Sequence, residues 1–155
     1  MFTVYLNGQK YAVEFRHYKT EKDILLNKNG PKTIRKFVDE TECKITELGR
    51  DENNKFTLPV KEYVAIVDRY NGILKYDPFD RSKARKYSLT KALKEFTKDD
   101  KVRTLFWTNY FLNHSFSEGK DFFNYFTYSM PQEIFKFVSD NLAGDAKNTL
   151  TMILP

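Results

Sequence analysis

Apolar and polar residues alternate through the first third of the chain, and then the period changes. In FTVYLNGQKYAVEFRHY, residues Phe2 to Tyr18, two alternating runs meet at Asn7-Gly8. That dipeptide favours the left-handed backbone of a type I′ hairpin turn. Tyr11, Val13 and Phe15 share one face of the second run, with Glu14 and Arg16 on the other. A polar loop is expected from Lys19 to Lys32, interrupted by Ile24, Leu25 and Leu26. TECKITEL alternates again, with Cys43 and Ile45 on one face, and GRDENNK reads as a loop before FTLPV. EYVAIVDRYNGILKYD repeats the hairpin signature, with Asn71-Gly72 at its turn. The pattern predicts five or six strands, mostly antiparallel because their connections are short.

From Asp80 the spacing is helical. Leu89, Ala92, Leu93 and Phe96 fall at i, i+3, i+4 and i+7, the stripe of an amphipathic helix. In KDDKVRTLFWTNYFL, Asp99 or Asp100 suits the N-cap. Val102, Leu105, Phe106 and Tyr110 form the inner face of that helix, and Trp107 and Phe111 a second apolar face. DFFNYFTYSM reads as a short helix. PQEIFKFVSDNLAG reads as another, with Pro131 in its first turn and Gly144 just past its end. The tail NTLTMILP is expected to return to the sheet as a strand. The expected fold is one α+β domain over residues 1–155: β-rich from 1 to 78, helical from 79 to 144, with a tail from 145 to 155. An antiparallel sheet of five or six strands would be packed by three or four C-terminal helices.

Composition excludes several classes. The 155 residues are 41% hydrophobic and 30% charged, the balance of a folded soluble domain rather than a disordered chain. One cysteine, Cys43, excludes an internal disulfide and a multi-cysteine zinc site. The first residues lack the apolar run of a signal peptide, and no window matches a membrane span, so a cytoplasmic setting without membrane association is expected. The net charge of +5 favours anionic partners.

That charge is concentrated in DPFDRSKARKYSLTKALKEF, Asp77 to Phe96. With Asp80 as N-cap, Lys83, Lys91 and Lys94 fall opposite the apolar stripe and read as an ordinary solvated face. Arg85 instead continues the apolar stripe into the first turn, flanked by Lys86. Cations there oppose the helix macrodipole, and a guanidinium on an inward face needs a partner. Two readings stand side by side: an ion pair with Asp77, Asp80 or Glu42, or an anion site formed by Arg81, Arg85 and Lys86 with the free N–H groups of the first turn. Arg16 and His17, at the end of a strand, join the candidate anion-binding set.

FRHY (Phe15–Tyr18), TECKI (Thr41–Ile45), Asp77-x-Phe79, Arg85-Lys86-x-x-Leu89-x-x-Ala92-Leu93 and Trp107-x-x-Tyr110 together resemble a family of small bacteriophage and prophage proteins. In that family an R-F-R-H-like strand end and a T-x-C strand precede D-x-F, then G-R-K-x-A-L-x-R-A-L and W-x-x-Y. The resemblance covers roughly residues 13 to 113. The chain departs from the pattern with Ala84 for Gly, Ser88 for Ala and Lys91 for Arg. It implies a phage accessory protein, and many such proteins act on host machinery or host defence, CRISPR nucleases included.

No P-loop, dinucleotide fingerprint, G-x-S-x-G or H-E-x-x-H is present, and two histidines are too few for a multi-histidine metal site. The sequence therefore predicts no catalytic residues, metal or cofactor. The enzymatic alternative is a Mg²⁺-dependent nuclease built on Glu42-x-Lys44, with Asp39 or Asp23 as a further carboxylate. Among the crowded aromatics of the C-terminal half, most are expected in the core. Phe123, Tyr125, Tyr128 and Trp107 are the candidates for contact with another protein or with a second copy in a homodimer. The leading expectation is a non-enzymatic accessory protein whose basic helix engages nucleic acid or a host nucleoprotein complex; a structural or assembly role is the remaining alternative.

Overall fold

The computed structural model describes residues 1–26, 30, 32–68, 80–114, 116–142, 146–148 and 150. Among these residues, strands precede helices: β1 (Phe2–Leu6), β2 (Gln9–Leu26), β3 (Lys32–Arg50), β4 (Phe56–Asp68), α1 (Arg81–Phe96), α2 (Asp100–Asn113), a 3-10 turn (Phe116–Gly119), α3 (Lys120–Tyr128) and α4 (Gln132–Asn141). The strands form one antiparallel sheet in the order β1-β2-β3-β4, packed against the C-terminal helices. The expected α+β class is thus observed, with four strands among the described residues instead of five or six. The second hairpin expected at Asn71-Gly72 lies outside the described residues. The expected loop from Lys19 to Lys32 is largely strand: β2 runs on to Leu26 and β3 starts at Lys32. FTLPV and EYVAIVD are one strand, β4, with Pro59 inside it. Ala146–Asn148 and Leu150 are helical, so the described part of the tail is not the strand expected there; residues 151–155 lie outside the description.

The chain divides into two compact units. The first comprises Met1–Val13, Ile45–Glu62 and Phe96–Pro155, and the second Glu14–Lys44 and Tyr63–Glu95. In the first, β1 and β2 pair from Phe2↔Val13 to Leu6↔Gln9. Asn7 and Gly8 at the turn have φ of 50° and 81°, which a type I′ turn demands and which Asn and Gly tolerate best. α2 packs on β1 and α4. Asp99 caps α2 as expected, its carboxylate accepting from Lys101 N–H at 2.9 Å. Val102, Leu105, Phe106, Tyr110 and Phe111 are buried, and Phe2 meets Tyr110 edge-on at 6.0 Å. Pro131 stands just before α4 as its N-cap, one position earlier than expected. Between β3 and β4, Asp51 accepts from the N–H groups of Asn53 and Lys55 and from the Thr57 hydroxyl. These bonds, that from Lys55 foremost, hold its carboxyl below the usual range.

In the second unit α1 lies on β4, where Val67 and Ala84 form a small core with Tyr87 against it. Cys43 on β3 is fully buried. Burial pushes its thiol up to about 12, so it remains a neutral SH group with no thiolate chemistry at neutral pH.

Candidate functional site

Helix α1 begins as the sequence predicts. Asp80 Oδ1 accepts from the N–H of Ser82 at 2.8 Å and of Lys83 at 3.3 Å, and the Asp80 carbonyl accepts from Ala84 at 2.9 Å. Ala84, Ser88, Leu89, Ala92 and Leu93 form its buried side. The hydroxyls of Ser88 and Thr90 donate back to the carbonyls of Arg85 and Lys86, sharing those acceptors with the helix's own N–H groups. The first turn contains no acid; Arg81 and Lys83 stand where the macrodipole favours anions.

The arrangement of the cations differs from the one the sequence suggests. Arg85 is half-buried, and its Nε is buried with no hydrogen-bond partner among the described residues. Neither Asp80 nor Glu42 forms an ion pair with it among the described residues, so the ion-pair reading loses two of its three acids; Asp77 lies outside the described residues. Arg81 is exposed at the start of the helix and Lys86 is half-exposed. Lys83, Lys91 and Lys94, set aside in the sequence as ordinary solvent-facing residues, are the exposed cations of the outer face. Counting 3.6 residues per turn, Lys83, Lys86 and Lys94 fall within about 80° of arc and span about 16 Å along the axis. Glu95 is the only acid in α1, and it projects about 100° from Lys94. Lys91 Nζ donates to the Ile66 carbonyl at 3.1 Å, pinning that side of the helix to β4.

Arg85→Met is a direct check of the buried guanidinium. Methionine keeps the stem packing and removes a buried donor that has no acceptor among the described residues, so a gain of about 1 kcal/mol in unfolding free energy is expected. A clear loss in a urea titration would mean that Arg85 has a counter-ion after all.

Arg16 and His17 belong to a polar ladder between β2 and β3. Lys44 Nζ lies 3.7 Å from Glu14 Oε2, His17 Nδ1 is 2.7 Å from Thr41 Oγ1, and the Tyr18 hydroxyl bonds Glu40. Partner numbers fall on β3 as they rise on β2, as one antiparallel register requires, and in that register exposed Arg16 stands opposite Glu42. Tyr18 is raised above its usual range first by desolvation and then by its bond to Glu40. His17 is thus a half-buried partner of a threonine hydroxyl.

Beside this ladder the structure gathers a charge cluster that sequence reasoning missed. Lys22 Nζ donates to Asp68 Oδ2 at 2.8 Å and pairs with Glu40 Oε1. The carboxylate side chains are only 5% and 4% exposed, against 32% for Lys22. Both partners raise the Lys22 ammonium above its ordinary range, the Asp68 hydrogen bond most. Glu40 and Asp68 lie in different strands far apart in sequence, with no motif linking them to Lys22.

The expected nuclease set is not assembled. Lys44 is directed to Glu14, Asp23 is exposed, and Asp39 and Glu42 are half-buried. No group of three or more His, Cys, Asp or Glu among the described residues could hold a metal ion. The alternating strand put Glu42 and Lys44 on one polar face, but the lysine found a cross-strand carboxylate there.

Of the aromatic candidates, Phe123 is inside, 8% exposed, because it packs against Phe111 and Phe122. Its expected role in a contact surface is therefore corrected to core. Trp107 is half-buried, stacked on Phe111 and edge-on to Tyr110. Tyr125 and Tyr128 are exposed, Tyr128 to 78%. Phe37, Leu58 and Val60 are also exposed; the period-two pattern gave no sign of it, because alternation does not say which face is covered.

Among the described residues no helix is long and apolar enough to cross a membrane. Comparisons with protein-family models, with characterised proteins and with solved structures find no match to this chain.

Proposed function

We propose that this chain is an accessory protein that binds nucleic acid, free or within a host nucleoprotein complex, through the outer face of α1. The observation that carries the reading is the composition of that face: Lys83, Lys86 and Lys94 share a narrow arc with no carboxylate on it. Like charges at helical spacing destabilise a helix by a few tenths of a kcal/mol per pair, and a helix serving only solubility would intersperse acids. The chain's net charge of +5 adds long-range attraction for a polyanion. The resemblance to phage and prophage proteins fits a partner in the host, including a defence nuclease with its guide RNA.

The test is a binding titration of the wild-type chain and of Lys83→Gln/Lys86→Gln/Lys94→Gln against short DNA and RNA duplexes. Glutamine preserves helix propensity, so circular dichroism should be unchanged. Binding at low salt that weakens at least tenfold in the triple variant is expected. Equal affinity for the two proteins, or none for the wild type, would end the proposal.

A further inference from the structure

We infer that the chain has a second nucleic-acid contact, a two-stranded ribbon made by the outer parts of β2 and β3, and that it takes unpaired bases. The inference rests on the proposed binding of nucleic acid but not on the lysine face of α1. β1 pairs with β2 only between Gln9 and Val13. On the other side of the sheet, Lys22 joins Asp68, the last residue of β4, to Glu40 of β3. In an antiparallel sheet the residues of β3 before Glu40 therefore run past that end of β4. Among the described residues, 19–26 and 32–39 thus pair only with each other. Lys32, Thr33, Arg35, Lys36 and Phe37 are exposed. Successive residues of a strand point to opposite faces, so both faces of the ribbon are open along this stretch.

Its charges suit a polyanion. Lys19, Lys32 and Lys36 are exposed, and none forms an ion pair or hydrogen bond among the described residues. Most of the neighbouring acids are already engaged. Arg35 Nε lies 2.8 Å from Glu21 Oε1, and Lys22 holds both Glu40 and Asp68. That leaves exposed Asp23 and half-buried Asp39. The ring of Phe37 decides which nucleic acid fits. The cross-strand pairs Glu14–Lys44, His17–Thr41 and Glu21–Arg35 each join residues of like parity, so Phe37 shares its face with Lys19. It is 71% exposed, and an open ring stacks on an unpaired base of any kind. In a duplex those base faces are covered by the neighbouring pairs, and reaching them costs unstacking. Lys19 on the same face, and Lys36 next to Phe37 in the strand, are flexible point charges for the phosphates on either side of a stacked base.

The experiment measures binding of the full chain to unstructured single-stranded DNA and RNA and to a DNA duplex of the same length, over a series of salt concentrations. Wild type is compared with Phe37→Leu, which stays apolar but has no ring, and with Phe37→Tyr, which keeps the ring. Lys19→Gln/Lys36→Gln tests the charges, and Lys83→Gln/Lys86→Gln/Lys94→Gln is the control for α1. Single-strand affinity should fall at least about fivefold in Phe37→Leu and stay within about twofold of wild type in Phe37→Tyr, with duplex affinity unchanged in both. The single-strand slope of log K against log salt should shrink by about 0.7 for each lysine removed from the ribbon. Adding Phe37→Leu to the α1 variant should give the same fall as in wild type. Single-strand binding indifferent to Phe37→Leu, or a fall that the duplex shares, would overturn this inference and leave the proposed role of α1 standing. A ring-dependent single-strand affinity with duplex binding untouched in the α1 variant would keep the ribbon and remove that role. Binding to none of the three nucleic acids would remove both.

Discussion

Lys22→Met is expected to lower the unfolding free energy by about 3–5 kcal/mol, the range for breaking a buried ion pair from one side. The reason is the asymmetry of the cluster. One ammonium, partly open to water, faces two carboxylates that are almost completely buried. Removing it takes away the ammonium that Glu40 and Asp68 share, in a site that can hydrate neither carboxylate well. The Tyr18 hydroxyl bonds Glu40 but cannot neutralise it. Adding Glu40→Gln and Asp68→Asn to the variant should recover a large part of the loss, because neutral amides carry no charge to desolvate. The pH dependence has a definite sign. Lys22 is raised above its ordinary 10.5, so its contribution is complete at neutral pH and is lost only as alkali takes the pH up through the raised value. Urea titrations of the two variants at neutral pH decide the matter; a loss below about 1 kcal/mol for Lys22→Met would mean that water reaches the carboxylates.

The same cluster shows what was and was not legible in the sequence. The caps of α1 and α2, the Asn7-Gly8 turn and the inner stripe of α2 depend on neighbours within a few residues, and all were readable. The extension of β2 and β3 beyond Lys19 was not. Its apolar residues, Ile24-Leu25-Leu26 on β2 and Ile34 and Phe37-Val38 on β3, do not alternate with polar ones, and apolar alternation is the signal that marks a strand. What aligns the two strands is a set of cross-strand pairs, visible only once the strands are laid side by side. Sliding β2 against β3 by two residues would oppose Glu14 to Glu42 in one direction and Arg16 to Lys44 in the other. The charges therefore favour one alignment where hydrophobic pattern does not. The candidate site was half legible for a related reason. Helical spacing placed the lysines of α1 outward correctly, and it showed Arg85 inward. It could not say that the inward arginine would find no carboxylate among the described residues, since two of the expected acids come from the cap and from another strand.

Gly119→Ala is expected to destabilise the first unit by about 1–3 kcal/mol, the usual range for forcing extra volume into a packed site. The backbone itself would accept alanine: Gly119, at the N-cap of α3, has φ of −89° and ψ of 8°, which any L-residue can adopt. On backbone grounds the substitution would even help, by restricting the unfolded chain. Space decides against it. An added Cβ would lie 2.8 Å from Cε2 of Phe123 and 2.9 Å from both Cβ and Cγ of Phe111. The ring edge of Phe123 could turn aside, but the Phe111 atoms are held close to the α2 backbone and cannot move without shifting the helix. Gly119 thus lets the turn after α2 approach the aromatic layer in which Phe111 meets Phe122 and Phe123. Phe123→Leu in the alanine background should relieve only the Phe123 contact and recover only part of the loss. Thermal and urea unfolding of the two variants would test this. A stabilised Gly119→Ala protein would show that the close approach of α2 to this turn is looser than the geometry implies.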